Sequence, residues 1–484
     1  LKDTENTASS FAAGPILYAR GSDGERCVLT ALVVTTQGRE VPALLPDGGE
    51  PIEPRHAAAL FGHDAWLYDF ALPVGTDAGY SLAGERHPVV TDLTGDTRFA
   101  FVSCNGQENG DEDRDPEHRD VMWRRLRDEH QASPFSLLIH GGDQLYADEA
   151  VEVHPDSRRW SEAADDDRPK VPASEEMREA LRRYFFFRYL AQMRQPAAAV
   201  LYAQVPSMMI WDDHDICDGW GSHPAPFQNS PVGQALFAAA REAFLLFQMG
   251  ATADELPAIV GDRSGRSLAS AAFFPGFGIA LPDLRSERTP ERVMGDTGWQ
   301  AFENALDAMP DGARRFVISS VPTLGPRLSL VESLLDFYPK KQKYEDDLRD
   351  QWQSRGHRGE WRRWLAALER QSTEHGAAIT VISGEIHLAA RATMRFSNGE
   401  MLHQLVASGI THPEPPQAFA MGLALLSTLG DSPLEGRPIR IRALPGQRWR
   451  YTAERNYLVV ERRGALWTAA WELERSGRTP ALAI

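Results

Sequence analysis

The chain has no apolar run of the roughly 18 residues that a membrane-spanning helix requires, and no charged segment leading into an apolar stretch opens it. No transmembrane segment is therefore expected. Positive charge is also scarce, since 68 acidic side chains stand against 51 basic ones for a formal charge of -17. Such a balance disfavours nucleic acid duplex and anionic lipid as non-specific partners, and it makes cations natural counterparts for some of the carboxylates. Cysteine is rarer still, with Cys27, Cys104 and Cys217 alone. An odd, low count argues against a disulfide scaffold and fits a reducing compartment. The expected location is cytoplasmic, with periplasm or secretion as the alternative if an export segment precedes Leu1.

What is present is ordinary globular material. The 484 residues, 42% hydrophobic and 25% charged, are enough for one large core and a smaller domain beside it. Up to Gly84 the apolar stretches are short and bounded by Gly, Pro and Asp: Ile16 to Ala19, Arg26 to Val34 and Ala65 to Leu72. Partial period-2 alternation predicts antiparallel strands, and 1–94 reads as a small β-sandwich-like domain. Cys27 lies in this region as a small buried hydrophobe.

From 95 to 484 the pattern changes. Buried strands are predicted at Phe99 to Ser103, Phe135 to Ile139, Met208 to Trp211, Arg315 to Ser319 and Ala378 to Ile382. Helices are predicted over Pro116 to His130, Ser174 to Arg194, Gly233 to Gln248 and Glu360 to Glu374. Apolar strands separated by helices indicate an α/β core whose sheet is covered on both faces. Asp111 to Asp120 and Ser157 to Lys170 read as polar loops. Near the C-terminus, Tyr457 to Glu461 and Leu466 to Trp471 are strand-like, and a second sheet stacked on the first is expected from them.

In open α/β sheets ligands gather at the carboxyl ends of strands, and four polar clusters fall there. Ser103-Cys104-Asn105 follows the first strand, and a thiolate is a strong metal ligand. His140-Gly141-Gly142-Asp143-Gln144-Leu145-Tyr146 follows the second, its glycines allowing a tight turn. Trp211-Asp212-Asp213-His214-Asp215 concentrates three carboxylates and an imidazole, a costly arrangement unless cations, protons or basic partners offset it. Gly384-Glu385-Ile386-His387 places two ligand types at i and i+2, on one face of an extended segment. Each cluster alone also fits capping or packing, and Cys217 fits either a place at the site or in the core. Four together suit two metal ions sharing a carboxylate, an arrangement used for phosphoester hydrolysis.

The blocks Phe101-Val102-Ser103-Cys104-Asn105, Gly142-Asp143-Gln144-Leu145-Tyr146, Trp211-Asp212-Asp213-His214-Asp215 and Ser383-Gly384-Glu385-Ile386-His387 resemble, in that order, the PhoD-like alkaline phosphatase group of the metallophosphoesterase (calcineurin-like) superfamily. Val406-Ala407-Ser408-Gly409-Ile410-Thr411 adds to the likeness. The resemblance implies a four-layer α/β/β/α core preceded by a small antiparallel β domain, with 95–484 as the catalytic domain. It implies that Asp143 bridges two metals, and that Cys104, Tyr146 and His387 hold an Fe(III) ion, the phenolate being similar to that of purple acid phosphatases. Asp213 and Glu385 are then ligands of a harder ion, Ca(II), Mg(II) or Mn(II), with His214 near the leaving oxygen as proton donor or phosphate contact. Glu385 departs from the group, where aspartate is usual, and from the wider superfamily, where the corresponding block ends in Gly-His-x-His.

The resemblance further implies a phosphomonoesterase that attacks phosphorus in line with a metal-bridging hydroxide. The alternatives are a phosphodiesterase or phospholipase-D-like hydrolase on the same centre, and a non-catalytic metal- or carbohydrate-binding protein. The expected partner is a phosphorylated small molecule or a cell-envelope or lipid phosphoester. Arg285 and Arg288, and more weakly Arg188, are candidates for the phosphate, although surface salt bridges explain them equally. Asn105 is either a ligand or a phosphate contact. Lys340, Lys341 and Lys343, with Tyr338, Tyr344, Trp352, Trp220 and Trp299, are candidates for the cavity mouth, or else packing and solvated residues. No oligomeric state follows from the sequence.

Overall fold

The computed structural model describes residues 11–75, 77–326, 350–428 and 430–484. Strand Thr97–Val102 illustrates how its layers arise. Successive side chains of a strand alternate between faces, and Phe99, Ala100, Phe101 and Val102 are all fully buried. Phe99 and Phe101 join a core shared with Ile279, Phe316, Ile318 and Ile382 of a second sheet. Ala100 and Val102 pack instead with Trp123, Leu126, Tyr189 and Phe244 from helices Val121–Ala132, Glu175–Met193 and Pro231–Met249. On the far side of the second sheet, Val317 and Val381 meet Phe302, Trp361 and Trp364 of helices Asp296–Asp307 and Arg358–His375. Helix, sheet, sheet, helix is the α/β/β/α order expected.

The first sheet has 11 strands and the second eight. Thr97–Val102, Leu137–Gly141 and Ser207–Ile210 run parallel, with Val102 opposite His140 and Ile210 opposite Gly141. In the second sheet Arg314–Ser319, Ile379–Ser383 and Met401–Val406 are parallel, Ser383 lying opposite both Ser319 and Val406. Within each sheet the strands therefore end level, and the polar segments that follow leave from one edge.

The N-terminal strands Ala13–Ser22, Arg26–Thr36 and His63–Pro73 pair antiparallel. Together with a three-stranded sheet they enclose a core of their own, including Leu17, Leu29, Tyr68, Phe70 and Tyr80. Ala13–Ser22 also pairs in parallel with Ser207–Ile210, at Tyr18 and Ser207, so these strands extend the large sheet.

Three expectations are corrected. The C-terminal strands Asn456–Arg463 and Leu466–Leu473 belong to the first sheet, because Leu458 and Val460 pair with Phe101 and Phe99; the second sheet is built from strands within 270–281, 314–319, 379–442 and 451–452. The segment after Ser157 is not all loop, since helix Pro155–Glu162 buries Trp160, and His154 and Ser157 cap its start reciprocally. The helix predicted from Pro116 divides at Asp120 into Pro116–Arg119 and Val121–Ala132, and Arg119 grips the Asp120 carboxylate.

Candidate metal centre

The level strand ends are tied across the two sheets by short backbone links. Gly409 and Ile410 donate to the Ser103 carbonyl at 3.2 and 3.0 Å, while within the second sheet Gly384 donates to the Ser320 carbonyl at 3.2 Å. Ser103 Oγ donates to the Ala407 carbonyl at 3.0 Å. Contact here is so close that a Cβ on Gly384 would lie 2.4 Å from Ser103 Oγ.

Six described non-glycine residues have left-handed backbone, and four are Cys104 (φ 55°), Asp143 (52°), Glu385 (67°) and His387 (52°). Such conformations cost free energy and persist where the surroundings over-determine them, commonly at functional sites. Each turns its strand end sharply, which aims the side chain inward rather than along the sheet.

Ligand atoms of Cys104, Asp143 and His387 lie within 4.8 Å of one another, as do those of Asp143, Asp212 and Asp213. Asp143 belongs to both groups, the position expected of a bridging carboxylate. Tyr146 Oη is 3.0 Å from His387 Nε2, and Cys104 Sγ is 3.5 Å from Asp143 Oδ2. Ser408 Oγ holds this side, 3.1 Å from Cys104 Sγ and accepting from the His387 backbone at 2.9 Å.

The donor set fits cations. Asp143 Oδ1 and Asp212 Oδ2 are buried without a hydrogen-bond partner, a costly state for a carboxylate oxygen. Burial and the neighbouring Asp212 push the Asp143 carboxyl well above its usual range. Burial, Asp350 and Asp212 do the same to Glu385. Positive charge at this point would relieve both.

His214 stacks on Tyr146, ring centroids 4.4 Å apart. Its Nδ1 lies 2.9 Å from both Asp148 carboxylate oxygens. Burial opposes charge on this ring, but Asp148 and Asp213 override it and raise His214 well above the ordinary imidazole range.

The arginines are placed differently from expectation. Arg285 is fully buried and donates to Asp212 through Nε, to Asp213 at 3.2 Å, to Asp350 at 2.6 and 2.9 Å, and to the Trp220 carbonyl at 3.0 Å. Its donors are spent on carboxylates, so it clamps the acidic residues instead of meeting phosphate. Arg288 is buried too and reaches Asp350. Arg188 binds the Tyr146 carbonyl at 3.2 Å, with Asp111 and Glu112 as ionic partners.

Asn105 is buried, accepting at Oδ1 from Trp123 at 2.8 Å while Nδ2 has no partner. Cys217 packs in the helix-side core. Trp220, Trp299 and Trp352 are buried rather than at a mouth. Tyr338, Lys340, Lys341, Lys343 and Tyr344 lie outside the described residues.

Several residues had not been singled out by the sequence. Asp148 lies two positions beyond the Gly142 to Tyr146 block and shows its role only by meeting His214, 66 positions on. Gln351 donates to both Glu385 oxygens at 2.6 and 2.8 Å. Asp350 anchors Arg285, Ser320 bonds Asp212 at 2.7 Å, and His412 stacks on His387 with centroids 3.4 Å apart. Of these, only Asp148 lies beside a motif that the sequence shows.

These groups border a cavity of about 670 Å³, lined at one end by Asp143, Asp213, His214, Glu385 and His387. A family model described as PhoD related phosphatase matches residues 97–344, just over half of the chain. The uncharacterized protein YGR266W of Saccharomyces cerevisiae is 22% identical over 85% of this chain and 74% of its own length. Among solved structures, that of PhoD superposes with a TM-score of 0.62 at 13% identity, covering 98% of this chain and 89% of PhoD. Purple acid phosphatase PPD1 from yellow lupin (Lupinus luteus) seeds has a TM-score of 0.50 at 10% identity, covering 96% of this chain and 73% of its own. Fold, ordered strand-end motifs and a family match across the first sheet's parallel strands agree: the chain belongs to the PhoD related phosphatases, metal-dependent phosphoesterases.

Proposed function

We propose that the chain is a phosphomonoesterase whose two metal ions share Asp143. Cys104, Tyr146 and His387 hold one, of Fe(III) type, and Asp213 with Glu385 holds a harder ion, Ca(II), Mg(II) or Mn(II). Asp212, with its unpartnered Oδ2, adds to the second side. The observation that carries this reading is Asp143 at the junction of two ligand groups, one with a thiol and an imidazole and the other all carboxylate. Thiolate and phenolate suit a high-charge transition ion, and carboxylates a hard cation.

When bound, such ions supply charge to hold the phosphoryl oxygens and acidify a water molecule for in-line attack. The rest falls to the chain. His214, its Nδ1 held by Asp148, keeps Nε2 for the departing oxygen and delivers the proton there. Arg285 keeps Asp212 and Asp213 apart from each other's charge and fixed in direction. Asp143 and its neighbours exclude bulk water by burial.

The test uses metal-stripped protein reloaded with iron plus calcium, magnesium or manganese, or with zinc alone, on p-nitrophenyl phosphate and its bis ester. Hydrolysis of the monoester is expected to exceed that of the diester and to require iron. Asp143→Asn should lose bound metal and turnover together. A preference for the diester overturns the monoesterase reading, and full turnover by zinc alone or by Asp143→Asn overturns the metal assignment.

A further inference from the structure

The cavity extends well beyond its metal-ligating end, and its other wall has a different chemistry. Ile386, Val406, Leu423, Ile441 and Tyr451 line it there. Val406 and Tyr451 share a buried cluster with Leu388, Ala390, Ala420 and Ala453, against which Ile386, Leu423 and Ile441 pack, so the wall is backed by packed side chains. Its rim is helix Gln417–Leu426, which has no charged residue and buries only Ala420. Three of the eight large hydrophobic side chains exposed among the described residues are on this helix: Phe419, Met421 at 49% and Leu425 at 72% exposure. Scattered exposed hydrophobics need no explanation, whereas a cluster continuous with a cavity marks a binding surface.

A phosphoryl group occupies a small part of about 670 Å³, so the remaining space belongs to the organic part of the ester. Among the described lining residues the basic side chains other than histidine reduce to Arg391, and its Nε is bonded to the Ala443 carbonyl at 2.7 Å. The described wall thus offers little to a second anionic group and much to methylenes.

We propose that this wall binds an apolar chain, and that the substrate is a phosphoester of a long-chain apolar alcohol bound as a single molecule. The proposal rests on the phosphatase reading for its metal end. With the phosphoryl oxygens on the cations that Asp143 and Asp213 would hold, the chain runs past Ile386 and Val406 towards Leu423 and Ile441, and the exposed helix covers its far end. Bond cleavage is unchanged: water adds to phosphorus, the alcohol leaves with a proton, and no further reactant is needed.

The experiment measures phosphate release by the metal-loaded full chain from methyl, butyl and octyl phosphate as monomers, with glycerol phosphate and adenosine monophosphate alongside. kcat/KM should rise about two- to fourfold per methylene until the wall is filled. Leu423→Asp and Ile441→Asp should each cut the octyl-to-methyl ratio by roughly tenfold, with metal content retained. Calorimetric binding of octylphosphonate against methylphosphonate gives a readout without turnover, and the octyl compound should bind more tightly. Equal kcat/KM and equal affinity along the series, or preference for the nucleotide or glycerol phosphate, overturns the proposal. If octylphosphonate binds selectively while no phosphoester is hydrolysed, the wall stands and the phosphatase reading falls. Hydrolysis of p-nitrophenyl phosphate without chain-length dependence sinks the wall alone.

Discussion

His214 illustrates how much of this site depends on single side chains. Its ring stacks on Tyr146 and its Nδ1 meets both oxygens of Asp148, which also accepts from the Asp218 backbone at 2.7 Å. Imidazole function depends on which nitrogen carries the proton and where the ring points, and the carboxylate settles both. Asp148→Asn should keep the fold and the metals, since Asp148 is in neither metal-ligand group around Asp143, while lowering kcat about 10²-fold. Kinetics alongside elemental analysis check this, and loss of metal in proportion to kcat would reassign Asp148 to ligand support. A similar economy holds around Glu385, whose two oxygens share the Gln351 amide. A longer carboxylate than aspartate is thus positioned by a donor that is close in space and distant in sequence.

At the scale of elements, the site exists because strands of two sheets end against one another. Gly142 and Gly384 make that approach possible. A Cβ on Gly142 would come within 3.0 Å of Ser320 Cβ, and one on Gly384 within 2.6 Å of Ser103 Cβ. Neither contact is with the far end of a flexible side chain. Gly384→Ala should therefore push the Ser103–Asn105 and Gly384–His387 segments apart and destabilise the fold by about 1–3 kcal/mol. Metal affinity should fall as well, because Cys104 lies on one segment and His387 on the other. Urea unfolding and metal titration measure the two losses, and unchanged metal affinity would place the site's rigidity elsewhere. Arg285 serves the same junction from a third direction, its guanidinium joining Asp212 and Asp213 to Asp350. Buried ion networks of this kind add little net stability but become costly when one member is removed.

Across the whole molecule, polar contacts also bind the C-terminal strands to the core. Glu129 of helix Val121–Ala132 meets Arg98 of strand Thr97–Val102, Tyr457 of a C-terminal strand and Arg478 beyond it. Burial opposes its ionisation, but Arg478, Tyr457 and Arg98 prevail and hold its carboxyl below the usual range. A folded-state value below the unfolded one means stability that is present above the unfolded carboxylate range and lost as pH falls through the folded value. Glu129→Gln should thus cost about 1–3 kcal/mol at neutral pH, and the gap to wild type should narrow as pH drops below about 4.5. Thermal melts at a series of pH values test this; a gap independent of pH would mean that packing, and not charge, holds these elements together.

The local and the long-range parts of this protein divide cleanly. Buried strands such as Phe99 to Val102, and the helices over Ser174 to Arg194 and Gly233 to Gln248, were legible because apolar runs and their breaks act within a few positions; the start of the second helix at Ser230 was not. The candidate ligands were legible because polar residues interrupt apolar strands at their ends, and that too is a local pattern. By itself the sequence thus determined the layered α/β class, the strand ends and the types of ligand they carry. Tertiary structure alone decided the rest: that the C-terminal strands join the first sheet, that Arg285 turns inward to Asp212, Asp213 and Asp350, and that Asp148 and Gln351 steady His214 and Glu385. Those choices depend on contacts between residues 34 to hundreds of positions apart, where packing and charge compensation outweigh local preference and leave no periodic trace in the chain.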